Sequence, residues 1–532
     1  CPAHIAVQGY IKKASEGKYL EALEVIKREN PFPAVCGRIC PHNCENECTR
    51  GSFDEAVSID EIKKFIADKE LDGDFTFVPK KYHDYGKKIA IIGSGPAGLS
   101  CAYYLARDGY RVTVFEKQRR VGGMLTLGIP NFRLEKGVVD AEIDVLRRMN
   151  VEFKTGVEVG RDVTIPQLRV QGFEAFYVAI GAQGGRKLNV PGEDAEGVIA
   201  GVDFLRDVAL TGRPALEGKV VVIGGGNVAI DVARTAVRKG ADHTAMYCLE
   251  SVSEMPALPE EQEEAKGEGI EINNGWGPKE FEVTDGRVTG VVFKKCVSVF
   301  DEDHKFAPKY DENDTITVPA DFVLVSVGQS IEWGRMLDGE RVELGRGNTA
   351  QADGFTYQTA QPDIFVGGDV FSGPKFAIDA IAAGKQGAVS IHRFVWPGQS
   401  LTMGRDRRHF TALDKDNLDR AEIEKGFDNT PRQRPLRDET KAMTSSDDRL
   451  TFTEEQLKKE AARCLGCGAA HVDTVKCFGC GVCAQMCKFD AIHLTRKSSA
   501  ESIAFTDRHE AFAKYAELRR ENIRIKKAAH KA

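Results

Sequence analysis

The sequence lacks the features that would place the protein in a membrane, on nucleic acid or outside the cell. Lys and Arg number 73 against 80 Asp and Glu, and the resulting net charge of -7 gives no reason to expect nucleic acid or an anionic membrane as partner. No apolar run approaches the roughly 20 residues of a membrane span, and no secretory signal is visible. The chain begins at Cys1 rather than Met, which predicts that its natural N-terminus lies upstream. Its 532 residues, 42% of them hydrophobic, are enough for roughly three to four domains with large cores.

Fourteen cysteines are present, but they do not indicate a disulfide scaffold. Three of them (Cys101, Cys248 and Cys296) are scattered, and the others fall into two dense groups. The groups are Cys1, Cys36, Cys40, Cys44 and Cys48 near the start, and Cys464, Cys467, Cys477, Cys480, Cys483 and Cys487 near the end. A large chain with ample core has no need of disulfides. The pattern therefore favours metal or iron–sulfur ligation in a reducing compartment, and we expect a cytoplasmic location.

The segment KIAIIGSGPAG, residues 88–98, predicts a dinucleotide-binding turn. Four apolar residues read as a buried parallel strand, and Gly93, Gly95 and Gly98 follow in G-x-G-x-x-G spacing before a helical pattern. The first glycine permits the turn, the second admits a pyrophosphate and the third lets the helix pack on the strand. The next strand ends in Glu116, where an acidic residue would bind a ribose hydroxyl.

A second unit of the same kind begins with VVVIGGGNVAIDVARTAVRKG. Gly224, Gly226 and Ala229 occupy the three fingerprint positions, and the following strand, TAMYCLE, ends at Glu250. A carboxylate at that point lies beside the adenosine ribose of a bound dinucleotide. Two such folds predict two nucleotides, or one nucleotide and a relic.

Three later segments also predict strands that end in glycine beside a nucleotide. AFYVAIGA ends at Gly181, and DFVLVSVGQ, residues 321–329, repeats that pattern. DIFVGGDV then carries Gly368 and Asp369 just before a helix that starts near Phe376, which places an acid and a helix N-terminus beside a cofactor. By contrast, GGMLTLGIPNFRL is too rich in glycine and proline to predict a helix.

The N-terminal region predicts a small helical domain with a metal or cluster site. In CGRICPHNCENEC four cysteines recur with three residues between them, close enough to converge on an iron–sulfur cluster; a structural zinc is the alternative. The helix that follows begins with a capping box formed by Ser58 and Glu61. We expect His4 and His42, beside the cysteines, to be packing or hydrogen-bonding residues.

The C-terminal region predicts a ferredoxin-like site after a polar linker. Residues 461–495 hold a degenerate repeat whose second copy is the ferredoxin run C-x2-C-x2-C-x3-C, with Lys488 in place of the usual proline. The first copy has non-cysteine residues at its third and fourth positions, so a second cluster there would need His471 or Asp473. We therefore expect one cluster. A basic helical tail follows, either solvated or a docking element.

The order of these motifs resembles the small-subunit family of glutamate synthase. The resemblance covers residues 1–395, and the linker with its RCLGCG matches a ferredoxin-tailed branch. Its relatives include the flavin and iron–sulfur half of dihydropyrimidine dehydrogenase and the large subunit of NADH-dependent ferredoxin:NADP oxidoreductase. The motifs that carry the resemblance are CGRICPHNCENEC, GSGPAGL, GGMLTLGIPNFRL, GGGNVAIDVARTA and the final GGDV…AIAAGKQGA.

The resemblance implies an α/β protein with two Rossmann-like dinucleotide-binding domains, the nicotinamide domain being inserted in the FAD domain. It implies that FAD is surrounded by Gly93, Gly95, Gly98, Glu116, Gly123, Gly181, Gly368, Asp369 and Ala377. Gly224, Gly226, Asn227 and Ala229 would cradle the nicotinamide pyrophosphate, with Glu250 at the ribose. The expected domains are helical iron–sulfur (1–86), FAD-binding (87–200 and 336–400), nicotinamide-binding (201–335), linker (401–460), ferredoxin-like (461–497) and helical tail (498–532).

Three departures from the family pattern bear on the sites. Three cysteines that the family carries upstream of the match to Cys1 are absent, which leaves Cys48 short of partners. A carboxylate or amide that completes one cluster in several members is matched here by Lys63. The resemblance therefore favours the ligand set Cys1, Cys36, Cys40 and Cys44. The two arginines of NADPH-using members are matched by Leu249 and Glu250, so we expect NAD, with NADP less favoured.

The resemblance implies electron transfer between NAD(P)H and a ferredoxin or partner subunit of a complex, through FAD and at least two [4Fe–4S] clusters. Hydride transfer needs no acid–base side chain, so no catalytic residue is predicted. No C-x-x-C lies near the flavin segments, which argues against a dithiol step. The alternatives are a glutamate synthase small subunit that feeds a glutamate-forming partner, and a non-enzymatic relay with a relic nicotinamide fold.

Overall fold

The computed structural model describes residues 1–405, 414–418, 420–467, 477, 479–486, 492, 494 and 508–529. The chain divides into two compact units, residues 1–467 and 468–532. Residues 461–467 therefore lie in the first unit, although the sequence predicted that they begin the ferredoxin-like domain. Within the described part of the chain, no helix combines the length and apolar character needed to cross a membrane.

In the described residues of the first unit there are sixteen α-helices and fifteen strands. The helices are α1 (Val7–Ser15), α2 (Tyr19–Lys27), α3 (Pro33–Ile39), α4 (Asn43–Asn46), α5 (Ile59–Leu71), α6 (Pro96–Asp108), α7 (Met124–Leu127), α8 (Lys136–Arg148), α9 (Ile165–Val170), α10 (Gly201–Thr211), α11 (Asn227–Arg238), α12 (Pro259–Gly267), α13 (Asp369–Ser372), α14 (Ala377–Phe394), α15 (Arg420–Glu424) and α16 (Glu454–Ala462). The strands are β1 (Lys88–Ile92), β2 (Arg111–Glu116), β3 (Glu152–Thr155), β4 (Phe173–Val178), β5 (Gly184–Gly185), β6 (Val198–Ala200), β7 (Lys219–Ile223), β8 (His243–Cys248), β9 (Glu271–Asn274), β10 (Trp276–Thr284), β11 (Arg287–Phe300), β12 (Phe306–Pro319), β13 (Phe322–Val325), β14 (Gln329–Ser330) and β15 (Ile364–Val366). In the second unit the structure describes α17 (Val482–Met486) and α18 (Arg508–Ala529).

The first sheet is parallel, with strand order β15-β4-β1-β2-β3. Its central strands are short apolar runs that are buried on both faces, as the sequence predicted for β1. Strand β15 follows the whole second sheet in the chain yet pairs with β4, so the second sheet is inserted in the first. The structure thus confirms the expected α/β class with one dinucleotide fold inside another.

The second sheet is also parallel, with order β6-β13-β7-β8-β9. Next to it lies an antiparallel sheet of three long strands, β10-β11-β12, which the sequence analysis did not find. The sequence does contain a hairpin pattern here, because Asp285 and Gly286 separate two runs of alternating polarity. In the structure both residues adopt positive φ, 51° and 80°. An Asp-Gly pair between such runs is a strong hairpin indicator.

Two local expectations differ from the structure. The segment GGMLTLGIPNFRL contains the short helix α7, because four residues between glycines suffice for a single turn. The capping box at α5 is not formed: the Ser58 hydroxyl accepts from Arg432 Nε at 2.8 Å and donates to the Gln433 carbonyl at 2.8 Å. The serine thus holds the linker instead of its own helix.

The N-terminal helical region shares its core with the end of the linker. Phe452 and Leu457 are buried in the same apolar cluster as Tyr10 and Phe65, so α16 completes the packing of α1, α2 and α5. These residues fall in the segment predicted as the linker (401–460). The amphipathic pattern of α16 is short, and its buried partners lie about 400 residues earlier in the chain.

Arg463 fixes α16 to that region. The guanidinium donates to Glu460 at 2.8 Å and to the Glu55 and Ala56 carbonyls at 2.7 and 3.3 Å, and the residue is 1% exposed. A buried cation of this kind is tolerated because two carboxylates, Glu460 and Asp54, and two backbone carbonyls accept its hydrogen bonds.

We predict that Arg463→Met destabilises the first unit by about 3–5 kcal/mol, because Glu460 is left buried without its partner. Thermal unfolding should show a midpoint lowered by several degrees. The matched control is Lys459→Met, which removes an exposed pair with Glu455 on the same helix and should change the midpoint little. Equal effects of the two substitutions on the unfolding midpoint would contradict the role of Arg463 in fixing α16.

Candidate functional site

A cavity of about 1050 Å³ lies within the first unit and is lined by both glycine loops. Its walls come from the carboxyl ends of strands in both parallel sheets, where open α/β folds bind their ligands. Among the predicted nucleotide-binding residues, those that line the cavity are Gly93, Gly95, Glu116, Gly123, Gly181, Gly224, Gly226, Asn227, Glu250, Gly368, Asp369 and Ala377. The structure therefore brings two separately predicted sites to one space.

The three glycines of the first loop have different surroundings. A Cβ on Gly93, whose φ is 100°, would collide with the Ala179 carbonyl, and a Cβ on Gly98 would collide with the Gly93 carbonyl. A Cβ on Gly95 would meet nothing within 4 Å. The first and third glycines are thus required by packing within the protein. The second leaves open space at the cavity, where a pyrophosphate can approach the backbone.

In the second loop, too, one glycine is required by packing and another leaves open space at the cavity. A Cβ on Gly224 would collide with the Ser326 carbonyl, whereas a Cβ on Gly226 would meet nothing within 4 Å. Ala229, at the third position, is fully buried. The Asn227 side chain accepts a hydrogen bond from the Leu258 amide at 2.9 Å, so it ties α11 to the neighbouring loop.

Besides the single-turn helices α7 and α13, three longer helices in the described chain begin at this cavity without a side-chain cap. They are α6, α11 and α14, whose N-cap residues are Gly95, Gly226 and Phe376. Their first backbone amides are available to a ligand, and the helix dipole favours negative charge at the same point. These observations fit two phosphate-containing nucleotides, of which FAD is one.

Two acidic residues contribute to the first nucleotide fold. Glu116 accepts from the Ser94 amide and hydroxyl at 2.9 and 2.6 Å, so its carboxylate joins the end of β2 to the glycine loop. Burial raises the pKa of Asp369 to about 6, although the amides of Lys375 and Ala182 oppose the rise. Asp369 is therefore a buried carboxyl with a raised pKa at the edge of the cavity.

The end of β8 places Leu249 and Glu250 at the second nucleotide fold. The Glu250 carboxylate lies beside Gly225 in the glycine loop, and Leu249 lies beside Gly277. The nearby cation Lys294 binds Glu312 at 2.7 Å. A carboxylate in this position is the acceptor expected for ribose hydroxyls.

Two arginines on α11 could in principle serve a second phosphate. Arg234 instead donates to Glu264 and Glu268, and Arg238 donates to Glu268 and to the Thr444 carbonyl. Neither arginine lines the cavity.

The N-terminal cysteines surround a buried lysine. Burial raises the pKa of the Cys44 thiol to about 12 and also raises the pKa of Cys36 and Cys40, while the Lys63 ammonium opposes each rise. Lys63 thus lies where the resemblance placed it, among the cysteines. Cys1 is exposed, and Ala3 beside it packs in the same core as Cys36.

An acidic group beneath these cysteines balances Lys63. The Lys63 ammonium donates to Asp60, whose other oxygen lies 3.3 Å from His42 Nε2. Although burial opposes it, contact with Asp60 raises the pKa of His42. His42 is therefore a charge partner of Asp60. In the described part of the chain, no three Cys, His, Asp or Glu side chains are grouped to hold a single metal ion. A four-iron cluster needs a wider set, since each thiolate binds a different iron.

The N-terminal cysteine loop reaches the nucleotide cavity. Ile39, the residue before Cys40 and the last of α3, lines the cavity together with Gly95 and Ala377. A cluster held by Cys40 would therefore lie close to a nucleotide in the first fold.

Two cysteines of the C-terminal group, Cys464 and Cys467, lie close to Cys48 of the N-terminal group. Cys464 and Cys467 both lie in the first unit. Burial raises the pKa of Cys464 most, and the neighbouring Cys467 and Cys48 raise it further, while a hydrogen bond from the Gly466 backbone opposes the rise. Cys467 Sγ lies 3.3 Å from Thr49 Oγ1. Of the other C-terminal cysteines, Cys477, Cys480 and Cys483 are exposed. Cys487, His471 and Asp473 lie outside the described residues.

Arg133 is a site residue that the sequence analysis missed. It lines the cavity and donates to both oxygens of Asp231 at 2.8 and 2.9 Å and to Glu261 at 2.5 Å. The segment before α8 is thereby joined to α11 and α12. Arg133 was hidden because nothing in its neighbourhood predicts the acids, which are about 100 residues away.

Family models match three parts of this chain. A model described as pyridine nucleotide-disulphide oxidoreductase matches residues 87–384. A model described as dihydropyrimidine dehydrogenase domain II, 4Fe-4S cluster, matches residues 1–74, and a 4Fe-4S binding domain matches residues 470–493. The middle model coincides with the two dinucleotide folds, and the flanking models coincide with the two groups of cysteines.

Known proteins similar to this chain include two curated relatives. The NADP(+)-dependent formate dehydrogenase subunit beta of Moorella thermoacetica is 35% identical over 88% of this chain and 69% of its own length. The glutamate synthase [NADPH] small chain of Escherichia coli is 35% identical over 74% of this chain and 86% of its own. Among solved structures, the Mycobacterium tuberculosis oxidoreductase FprA is similar in fold, with a TM-score of 0.51 at 18% identity over 71% of this chain and all of its own.

We predict that Gly226→Val weakens binding of a pyridine nucleotide at least tenfold, or about 1.4 kcal/mol, without disturbing the fold. The new side chain would occupy the open space at the second loop, and Gly226 has a φ of -91° that valine adopts. Gly137→Val is a matched control in open space at the start of α8, outside the cavity. Binding can be measured by calorimetry. Unchanged affinity in the Gly226 variant would show that the pyrophosphate lies elsewhere.

Proposed function

The chain belongs to the pyridine nucleotide-disulphide oxidoreductase family, and we propose that it passes electrons between NAD(P)H and a ferredoxin or another redox subunit through FAD and [4Fe–4S] clusters. It is an NAD(P)H-dependent flavin and iron–sulfur oxidoreductase that works as a subunit of a larger complex. The observation that carries the proposal is the shared cavity, which both glycine loops and the residue next to Cys40 line.

The residues around the first fold fit FAD. Gly95 leaves room for the pyrophosphate, α6 and α14 direct uncapped amides at it, and Glu116 and Asp369 stand at the cavity as acceptors for hydroxyl groups. When bound, the flavin accepts a hydride from the nicotinamide and releases single electrons to iron–sulfur clusters. The protein's part is to position both nucleotides in one space. For that reason no acid–base residue is assigned.

The second fold holds the nicotinamide nucleotide with Gly224, Gly226 and Ala229 at the turn and Glu250 at the ribose. Arg133 supports this arrangement, because its bonds to Asp231 and Glu261 fix the second fold against the first. The relative orientation of the two nucleotides therefore depends on the ion pairs of Arg133, in addition to the chain segments that connect the two folds.

The path out of the flavin site begins at α3. We assign Cys1, Cys36, Cys40 and Cys44 to a [4Fe–4S] cluster there, and Cys477, Cys480, Cys483 and Cys487 to a second cluster in the ferredoxin-like domain. Ile39 lies at the cavity and is adjacent to Cys40, which makes the first cluster the nearest acceptor of electrons. The Lys63 ammonium beside it favours the reduced state, although the pairing of Lys63 with Asp60 weakens this effect.

The alternatives are less well supported. A relic second fold would not keep its second glycine open toward the cavity, as Gly226 is. A glutamate synthase small subunit is favoured by several curated relatives, but the 4Fe-4S match at residues 470–493 supports a different or additional electron partner. Thiolate-rich sites of this kind persist in reducing compartments, and we propose a cytoplasmic location.

We propose that this chain prefers NADH, although the named relatives are described as using NADPH or NADP(+). Glu250 can accept hydrogen bonds from the free ribose hydroxyls of NADH and would repel the 2′-phosphate of NADPH, and Leu249 offers no compensating charge. We expect kcat/KM to favour NADH by about tenfold or more. The change Leu249→Arg/Glu250→Arg should shift the ratio toward NADPH.

The control is Glu254→Arg, an exposed substitution outside the cavity lining that makes the same change of two charge units as Glu250→Arg does within the double variant. It should leave the ratio of kcat/KM values close to that of the unchanged protein. A wild-type preference for NADPH would overturn the assignment of Glu250.

The proposed exit through the ferredoxin-like domain makes a separate prediction. Cys480→Ala should leave reduction of the flavin by NADH intact and stop delivery of electrons to the native redox partner, because only the last cluster is lost. The two steps can be followed by flavin absorbance and by reduction of the partner. Delivery at the normal rate would show that this domain is not on the path, whereas failure of nicotinamide to reduce the flavin in the wild type would refute the proposed function itself.

A further inference from the structure

We propose that Cys48, Cys464 and Cys467 hold a third iron–sulfur cluster, assembled from the two ends of the chain. The first argument is a count of thiols. The N-terminal site uses Cys1, Cys36, Cys40 and Cys44, and the ferredoxin run is complete with its own four cysteines. Within residues 1–532, these three are the members of the two dense groups that neither of the other proposed clusters uses. The inference rests on the iron–sulfur function proposed above.

The second argument is that the structure brings the three together. Cys48 and Cys467 both lie within electrostatic range of Cys464, and all three side chains are partly exposed. Cys467 Sγ is 3.3 Å from the hydroxyl of Thr49, the neighbour of Cys48. Cys48 and Cys464 pack against the same apolar cluster, although 416 residues separate them.

The third argument is that the two segments are fixed to each other on both sides. Arg50, which follows Thr49 and is 1% exposed, donates to the Arg463 carbonyl at 3.1 Å. Gln8 of α1 donates to the Cys467 carbonyl. Arg463 is held in turn by the carbonyls of residues 55 and 56. A cluster site needs ligands held in place, and here the backbone beside each cysteine is bonded across the junction.

Three thiolates can bind three of the four irons of a cluster, with a non-thiolate ligand on the fourth. The site lies next to the N-terminal one, because Cys44 and Cys48 are separated by three residues. It also contains Cys467, the last residue of the first unit. A third cluster would thus occupy the point at which the chain leaves the first unit for the ferredoxin-like domain.

The rival assignment follows from sequence alone. Cys464 and Cys467 begin a repeat of the ferredoxin run and would then belong with Cys477 and Cys480. In the structure they lie instead in the other compact unit, beside Cys48. The two assignments differ in which cysteine substitutions should remove the same cluster.

The experiment counts irons and resolves clusters in the full chain, purified without oxygen. Wild type should contain about twelve irons with matching sulfide, and three signals in electron paramagnetic resonance after reduction. Cys48→Ala, Cys464→Ala and Cys467→Ala should each remove about four irons and the same signal. The double variant Cys48→Ala/Cys467→Ala should lose no more than either single one. Cys296→Ala, a buried thiol in β11, is the control and should lose none.

The outcomes are distinct. If Cys464→Ala and Cys480→Ala remove the same signal while Cys48→Ala removes none, the pair belongs to the ferredoxin-like domain and the inference fails. A wild type with about eight irons also overturns it, whether or not the variants fold. In either case reduction of the flavin by NADH would remain, so the proposed function would stand while this inference falls.

Discussion

The structure depends on a close approach of backbone to backbone at the two glycine loops. Gly93 and Gly224 each press against the carbonyl of a residue just beyond a neighbouring strand, Ala179 and Ser326, with no room for a Cβ. This contact brings each loop over the edge of its parallel sheet and directs the following helix at the cavity. Because both sheets present the same edge to the same space, two nucleotides can be held where a hydride passes directly between them.

The remaining parts of the first unit connect that cavity to the iron–sulfur sites. Arg133 holds the second fold against the first through Asp231 and Glu261. Helix α3 ends at the cavity with Ile39 and continues into the cysteine loop, whose buried charge network of Lys63, Asp60 and His42 lies beneath the thiols. Helix α16 and Arg463 then bring the far end of the chain to the same region.

The dinucleotide folds were predictable because their signals are local. Strand, glycine spacing, helix and acid stand within about 30 residues, and each is set by the backbone geometry of a phosphate-binding turn. The β10–β11 hairpin of the antiparallel sheet also has a local sequence pattern, at Asp285 and Gly286, but the sequence analysis did not recognise it. Arg133, the Ser58 contact with Arg432, and the approach of Cys464 to Cys48 could not be inferred in this way. Each is a tertiary contact over 98 to 416 residues, and nothing in the sequence near either partner identifies the other.

The central claim is that nicotinamide and flavin meet in one cavity and exchange a hydride directly. The most direct measurement is anaerobic stopped-flow reduction of the flavin by NADH deuterated at one or the other face of C4. The account predicts that deuterium at one face slows loss of the oxidised flavin absorbance by a primary isotope effect, while deuterium at the other face does not. Absence of flavin reduction by either NADH or NADPH, or reduction with no isotope effect from either face under conditions where the transfer step limits the rate, would contradict it.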